Sequence, residues 1–157
     1  MPDLLPLASE HLFTMDLDVG AAQMVGKGPD GFDLRIATVT GGQVTGPKLQ
    51  GEVLPANAAD WLRVEDDGTA HMDVRLTIKA ASGSLVYLQY QGIRTGKPEV
   101  LAKLGGPEPV SPSDYYFRVA IRFTTGARDL AWMNRIIAVG VGQRPPKGPR
   151  YDVYAIR

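Results

Sequence analysis

The sequence predicts an all-β fold: one antiparallel, largely up-and-down β-barrel spanning residues 1–157. Three observations predict it. Apolar and polar residues alternate with period two in run after run, the pattern of half-buried strands. Turn residues punctuate those runs, at Gly28-Pro29, Gly46-Pro47, Gly106-Pro107 and Gly148-Pro149. No long segment carries an apolar stripe of 3.6-residue period. Short strands at close spacing signal a sandwich or barrel, and closure removes the exposed edges of a flat sheet. A barrel of about eight to ten strands has an interior that is either filled or just able to hold one small ligand.

The elements follow in order. Residues 10–18 place His11, Phe13, Met15 and Leu17 on one face, and residues 32–40 group Phe32, Leu34 and Ile36. A short helical turn is expected over residues 56–61. Residues 61–65, 69–79 and 85–93 form a meander, joined by the tight links Asp66-Asp67-Gly68 and Ala81-Ser82-Gly83. In its central strand Met72, Val74, Leu76 and Ile78 share one face, and His71, Asp73, Arg75 and Thr77 the other. Residues 115–123 set Tyr115, Phe117, Val119, Ile121 and Phe123 against Tyr116, Arg118, Ala120 and Arg122. Residues 131–141 are nearly continuous apolar, as in a strand covered on both sides. Residues 144–149 make an exposed, stiff loop, and residues 151–156 a last strand.

Composition excludes several classes of function. There are 17 basic and 17 acidic residues, so no basic block suggests nucleic acid or a membrane surface as partner. With no Cys, disulfides, thiolate catalysis and thiolate metal centres are excluded. The two His lie far apart in the chain, outside any ligand spacing, so no metal and no cofactor is expected. The start lacks the basic and apolar regions of a signal peptide, and no apolar run approaches the roughly 20 residues of a membrane span. A soluble, cytoplasmic protein is the simplest expectation.

Familiar motifs fail on inspection. In Gly41-Gly-Gln-Val-Thr-Gly46-Pro47-Lys48, a proline occupies the position of the phosphate-loop lysine. Gly140-Val-Gly142 lacks the third glycine of a dinucleotide fingerprint. What remains is charge repeated along strands. Residues two apart share a face about 7 Å apart, which aligns Asp73 with Arg75 and repeats the spacing at Asp33 and Arg35. Arg118 and Tyr116 form a similar face. If these faces converge inside the barrel, Asp73 is a candidate general base, its pKa set by burial and neighbouring arginines. If they point outward, they are an ordinary wetted surface. Trp61 and Trp132 are either core or ligand walls, and Asn134, in an apolar run, is either a satisfied structural residue or a pocket group.

Five runs stand out as a set: Gly41 to Pro55 (Gly-Gly-Gln-Val-Thr-Gly-Pro-Lys-Leu-Gln-Gly-Glu-Val-Leu-Pro), Ala59-Asp60-Trp61, Asp67 through Ile78, Tyr115-Tyr116-Phe117-Arg118, and Ala131 through Gly140. Together, over about residues 8–157, they carry a resemblance to the bacterial domain-of-unknown-function 3237 family. It implies a small lipocalin-like β-barrel and no assigned activity. Arg35, Asp60, Trp61, Asp73, Arg75, Arg118, Trp132 and Asn134 fall on positions of the family pattern, which favours an interior cavity. The chain departs from the pattern at Phe123-Thr124-Thr125-Gly126, where an acid is expected, and at Ala56-Asn57-Ala58, where glycines are expected.

Three kinds of function are compatible with these residues. In the first, the barrel is a cofactor-free isomerase, lyase or cyclase acting on a small apolar oxygenated metabolite. Asp73 is then the acid–base group, Arg35, Arg75 and Arg118 hold an anionic oxygen, Asp60, Trp61 and Asn134 help bind, and Tyr87 and Trp132 are walls. In the second, the same cavity binds a hydrophobic or aromatic ligand unchanged. In the third, the interior is packed and the barrel is a structural homodimer or higher homo-oligomer.

Overall fold

The computed structural model describes residues 2–157. Ten strands form one antiparallel sheet: β1 (Ser9–Val19), β2 (Gln23–Lys27), β3 (Asp33–Thr45), β4 (Gly51–Val53), β5 (Ala59–Val64), β6 (Ala70–Ala80), β7 (Leu85–Gly96), β8 (Tyr115–Thr124), β9 (Ala138–Gln143) and β10 (Arg150–Ile156). The path β1-β10-β9-β8-β7-β6 meets β4 and β5, which lie end to end beside β3. β3 then pairs with β1 and closes the barrel, which is eight strands around. The long β3 does double duty. Its first half pairs with β2 and β5, its second half with β1 and β4.

Period-two patterning places the core as expected in β6 and β8. Met72, Val74, Leu76 and Ile78 point inward from β6, and Tyr115, Phe117, Val119, Ile121 and Phe123 from β8; all nine are buried. The expected meander is present as β5, β6 and β7. In β1 a register shift between His11 and Phe13 breaks the phase. Leu12 and Phe13 are both buried, while His11 is displaced against the Tyr154 ring, at 5.4 Å.

Three expected elements differ. Residues 56–58 form a turn, with Asn57 at φ 57°, and residues 59–61 belong to β5 rather than to a helix. Asparagine tolerates this left-handed conformation, which a helix cannot continue through. The run 131–141 is split: a 3-10 helix, Arg128–Arg135, precedes β9. At three residues per turn Leu130 and Met133 share one face, and both are buried. The stretch 144–149 is not simply exposed: Arg144 turns inward and Gly148 packs on the Leu17 carbonyl. A single helical turn, α1 (Pro98–Leu101), sits between β7 and β8.

The interior is filled unevenly. Where β1 begins and β3 ends, Phe13, Phe123, Leu88 and Ile78 fill the barrel, and Leu130 and Met133 join the same core. Where β1 ends and β3 begins, the interior is hollow.

Candidate functional site

The hollow end is a cavity of about 320 Å³, mostly apolar, with Leu17, Val39, Leu62, Met72 and Val74 among its walls. Five polar side chains matter in it, each carried by a strand or its immediate extension: Asp60 (β5), Tyr90 and Arg94 (β7), Tyr151 (β10) and Arg144, next after β9. Arg35 of β3 reaches the same space but is tied to Asp33, with Nη2 2.8 Å from Oδ2.

Asp60 lies in the inward phase of β5, with Leu62 and Val64. The β5–β6 register runs Ala59↔Arg75, Asp60↔Val74 and resumes only at Arg63↔His71. In the gap the Asp73 backbone N–H donates to Asp60 Oδ1 at 3.0 Å. Burial raises the Asp60 pKa from 3.8 to about 6. The Asp73 N–H and the positive charge of Arg94 pull it down, and the Asp73 carboxylate pushes it up slightly. Among the described residues Asp60 forms no ion pair. It is therefore a carboxyl group poised to exchange a proton near neutral pH.

Arg94 continues the inward phase Val86-Leu88-Tyr90-Gly92 to the mouth of the barrel. Its guanidinium carbon sits 5.6 Å from the Phe117 ring centroid, and its Nε is buried with no hydrogen-bond partner. Burial, and then the charge of Arg144, lower its pKa. Arg144 is anchored by its backbone, whose N–H donates to the Tyr115 hydroxyl at 2.9 Å. Its side chain donates to the Pro145 carbonyl and packs under Gly105, where φ is +75° and a Cβ would stand 3.4 Å from Arg144 Cζ. Neither arginine is ion-paired among the described residues.

Tyr90, Tyr151 and Phe117 form an edge-to-face series, with centroid separations of 5.4 and 5.3 Å. Such packing orients the rings rigidly. Burial raises the pKa of both tyrosines, so they stay protonated. The Tyr90 hydroxyl is buried without a well-formed hydrogen bond, although Tyr151 is close enough to influence its ionisation. β9 makes room for these rings by offering glycine in its inward phase. A Cβ on Gly142 would lie 2.6 Å from the Phe117 ring, and one on Gly140 2.6 Å from Val119.

Of the residues singled out from sequence, only Asp60 and Arg35 reach this cavity. Asp73, Arg75 and Arg118 do not meet inside the barrel. Because Met72, Val74, Phe117 and Val119 take the inward phase, their neighbours must face out. Asp73 borders shallow outer grooves with Trp61, His71 and Gln91, and with Arg75 and Gln89. Arg118 donates to the Phe117 carbonyl at 2.9 Å and lies over the Tyr116 ring. Tyr87 is on the outer face beside Gln89. Trp132 packs near the filled end. Asn134 clasps a loop there: its Oδ1 accepts from the Thr125 N–H at 2.7 Å, and its Nδ2 donates to the Thr125 carbonyl at 2.9 Å. Tyr90, Arg94, Arg144 and Tyr151 were not chosen from sequence. The available signal was polar residues standing in an apolar phase, most plainly Arg94 after Val86-Leu88-Tyr90. Among the described residues no group of three acidic or His side chains is arranged to hold a metal ion.

Fold and site together define a closed antiparallel β-barrel, packed at one end and open at the other into a charged, tyrosine-lined chamber. The chain belongs to the family described as Protein of unknown function (DUF3237), whose pattern matches residues 7–156. It is 31% identical over 150 residues to an uncharacterised UPF0311 protein of Rhodopseudomonas palustris, a match covering 96% of this chain and 97% of that one. The crystal structure of that protein superposes with a TM-score of 0.91. A crystal structure described as a beta-barrel like protein, from Acinetobacter baumannii, is 34% identical with a TM-score of 0.86, each chain covered in full. An enzyme from Penicillium herquei shares the fold, with a TM-score of 0.74 at 20% identity over 100% of this chain and 99% of that one.

Proposed function

We propose that the hollow end of the barrel binds one small, largely apolar, oxygen-bearing metabolite, and that Asp60 moves a proton on it in a cofactor-free isomerase, lyase or cyclase reaction. One observation carries this reading: a lone carboxyl group with a pKa of about 6 inside a mostly apolar cavity. A general base works best when its pKa lies near the operating pH, and burial without an ion pair is how a protein raises a carboxylate to that range. The proton-transfer role passes from Asp73, on the outer face, to Asp60.

The chemistry follows from the donors around it. Asp60 takes a proton from carbon next to a carbonyl; the C–H pair becomes a carbon–carbon double bond, and the carbonyl π pair moves onto the oxygen. Arg94 and the Tyr90 hydroxyl supply hydrogen bonds to that developing charge. The protonated Asp60 then returns the proton to another atom of the same molecule, so no co-reactant is consumed. That the Penicillium herquei neighbour is called an enzyme supports the view that this architecture accommodates catalysis.

The test is turnover. Small enolisable ketones and oxygenated aromatics are screened by NMR for exchange of the proton next to the carbonyl into deuterated water, with wild type and Asp60→Asn. Exchange by wild type that the variant loses supports the reading. Exchange that persists in Asp60→Asn assigns the proton transfer elsewhere, and a ligand that binds in the cavity and is recovered without exchange makes the barrel a carrier.

A further inference from the structure

The charges facing the cavity do not balance. Arg35 is neutralised by Asp33 at 2.8 Å. That leaves two guanidinium groups, Arg94 and Arg144, against the single carboxyl of Asp60, which pairs with neither. Two like charges in one enclosed space repel, and burying them without a counter-charge is unfavourable. Two donors in the same chamber, Arg94 Nε and the Tyr90 hydroxyl, are also buried without partners. Such groups are rare in folded proteins, and an incoming acceptor relieves the cost of leaving each one unpaired.

We infer that the ligand of this cavity carries a carboxylate, bound against Arg94 and Arg144, with its apolar body along Val39, Met72 and Val74. This rests on the reading of the hollow end as a ligand site and adds the class of molecule it takes. A guanidinium presents a planar fork that matches two carboxylate oxygens, whereas a neutral carbonyl satisfies one donor and leaves the charges unbalanced. The rest of the pocket fits a short apolar body better than a polar chain, since the remaining walls are aliphatic and aromatic. Arg144 also belongs to the rim of the chamber, beneath Gly105, so the anion sits where the loop after β7 comes down over the mouth.

The experiment compares two probes of nearly equal shape, 2-naphthoate and 2-acetonaphthone, by isothermal titration calorimetry at neutral pH. The proteins are wild type, Arg94→Gln and Arg144→Gln, each checked for folding by thermal melting. Wild type is expected to bind the carboxylate at least about tenfold more tightly than the ketone, the scale of one charge-assisted pair. Arg144→Gln is expected to lose that preference through the carboxylate alone, and Arg94→Gln to weaken both probes, the carboxylate by more. Equal or tighter binding of the ketone by wild type overturns the carboxylate inference and leaves the pocket reading standing. A preference retained in both variants also overturns it. Failure of both probes to bind overturns the pocket reading, and this inference with it. If one variant does not fold, the wild-type comparison and the other variant decide.

Discussion

Replacing Asp60 with Asn isolates the energetic consequence of a buried charge. The substitution preserves shape and keeps an Oδ1 to accept the Asp73 N–H, now 3.0 Å away, while removing the ionisable proton. Folding raises the Asp60 pKa from 3.8 to about 6, chiefly by burial. Roughly two units at 1.36 kcal/mol each is about 3 kcal/mol. The sign follows from proton binding. Between those two values the folded chain holds the proton more tightly than the unfolded chain, so stability falls as pH rises through the window. The contribution is absent below the unfolded value and reaches its full unfavourable size above about 6. Urea denaturation from acid to mildly alkaline pH is therefore expected to show Asp60→Asn matching wild type at the acid end. The variant should gain up to about 3 kcal/mol at the alkaline end. A gain independent of pH, or a variant less stable than wild type at high pH, refutes the argument that a desolvated carboxylate occupies this site. A stabilising substitution that abolishes proton exchange would show stability given up for activity.

Three further outcomes are expected. Gly142→Ala forces a methyl to 2.6 Å from the buried Phe117 ring, and chemical denaturation should register a loss of about 1–3 kcal/mol; an unchanged midpoint would mean that the ring is free to move. Asn134→Ala removes two hydrogen bonds, of 2.7 and 2.9 Å, to the backbone of Thr125. It should lower stability by about 1–3 kcal/mol without altering ligand affinity, since the clasp lies at the filled end. Affinity for a carboxylate ligand should fall as pH rises through about 6, because ionised Asp60 repels it, while affinity for a neutral analogue stays level; calorimetry across that range checks both.

The strands carrying the barrel could be read from sequence because their environment is two-sided. In β6 and β8 one face meets the core and the other meets water, so polarity alternates without exception over several residues. The site escaped for the same reason. A run such as His71-Asp73-Arg75 attracts notice as a charged constellation, yet its regularity is the mark of a wetted face. The charged groups of the cavity are those that break the rule: Arg94 at the end of an inward series, and Asp60 in phase with Leu62 and Val64. Expecting a helical turn over residues 56–61 hid the phase of Asp60, and treating residues 144–149 as an exposed loop hid Arg144. Asp60 is singled out only through family resemblance, whereas Arg35 also follows from the spacing it shares with Asp33. Their burial depends on which strands lie across the barrel, information that no local pattern contains.

The edge-to-face series of Tyr90, Tyr151 and Phe117 stands on three different strands, in space that glycines of β9 leave free. Binding proteins commonly adjust selectivity through loops, which vary while the scaffold stays fixed. Here the partition that limits the chamber belongs to the staves themselves. Trimming one ring would lengthen the accessible space, and restoring bulk on β9 would shorten it, with every loop unchanged. The length of the chamber is thus set by a bulkhead inside the hull rather than by the shape of its hatch.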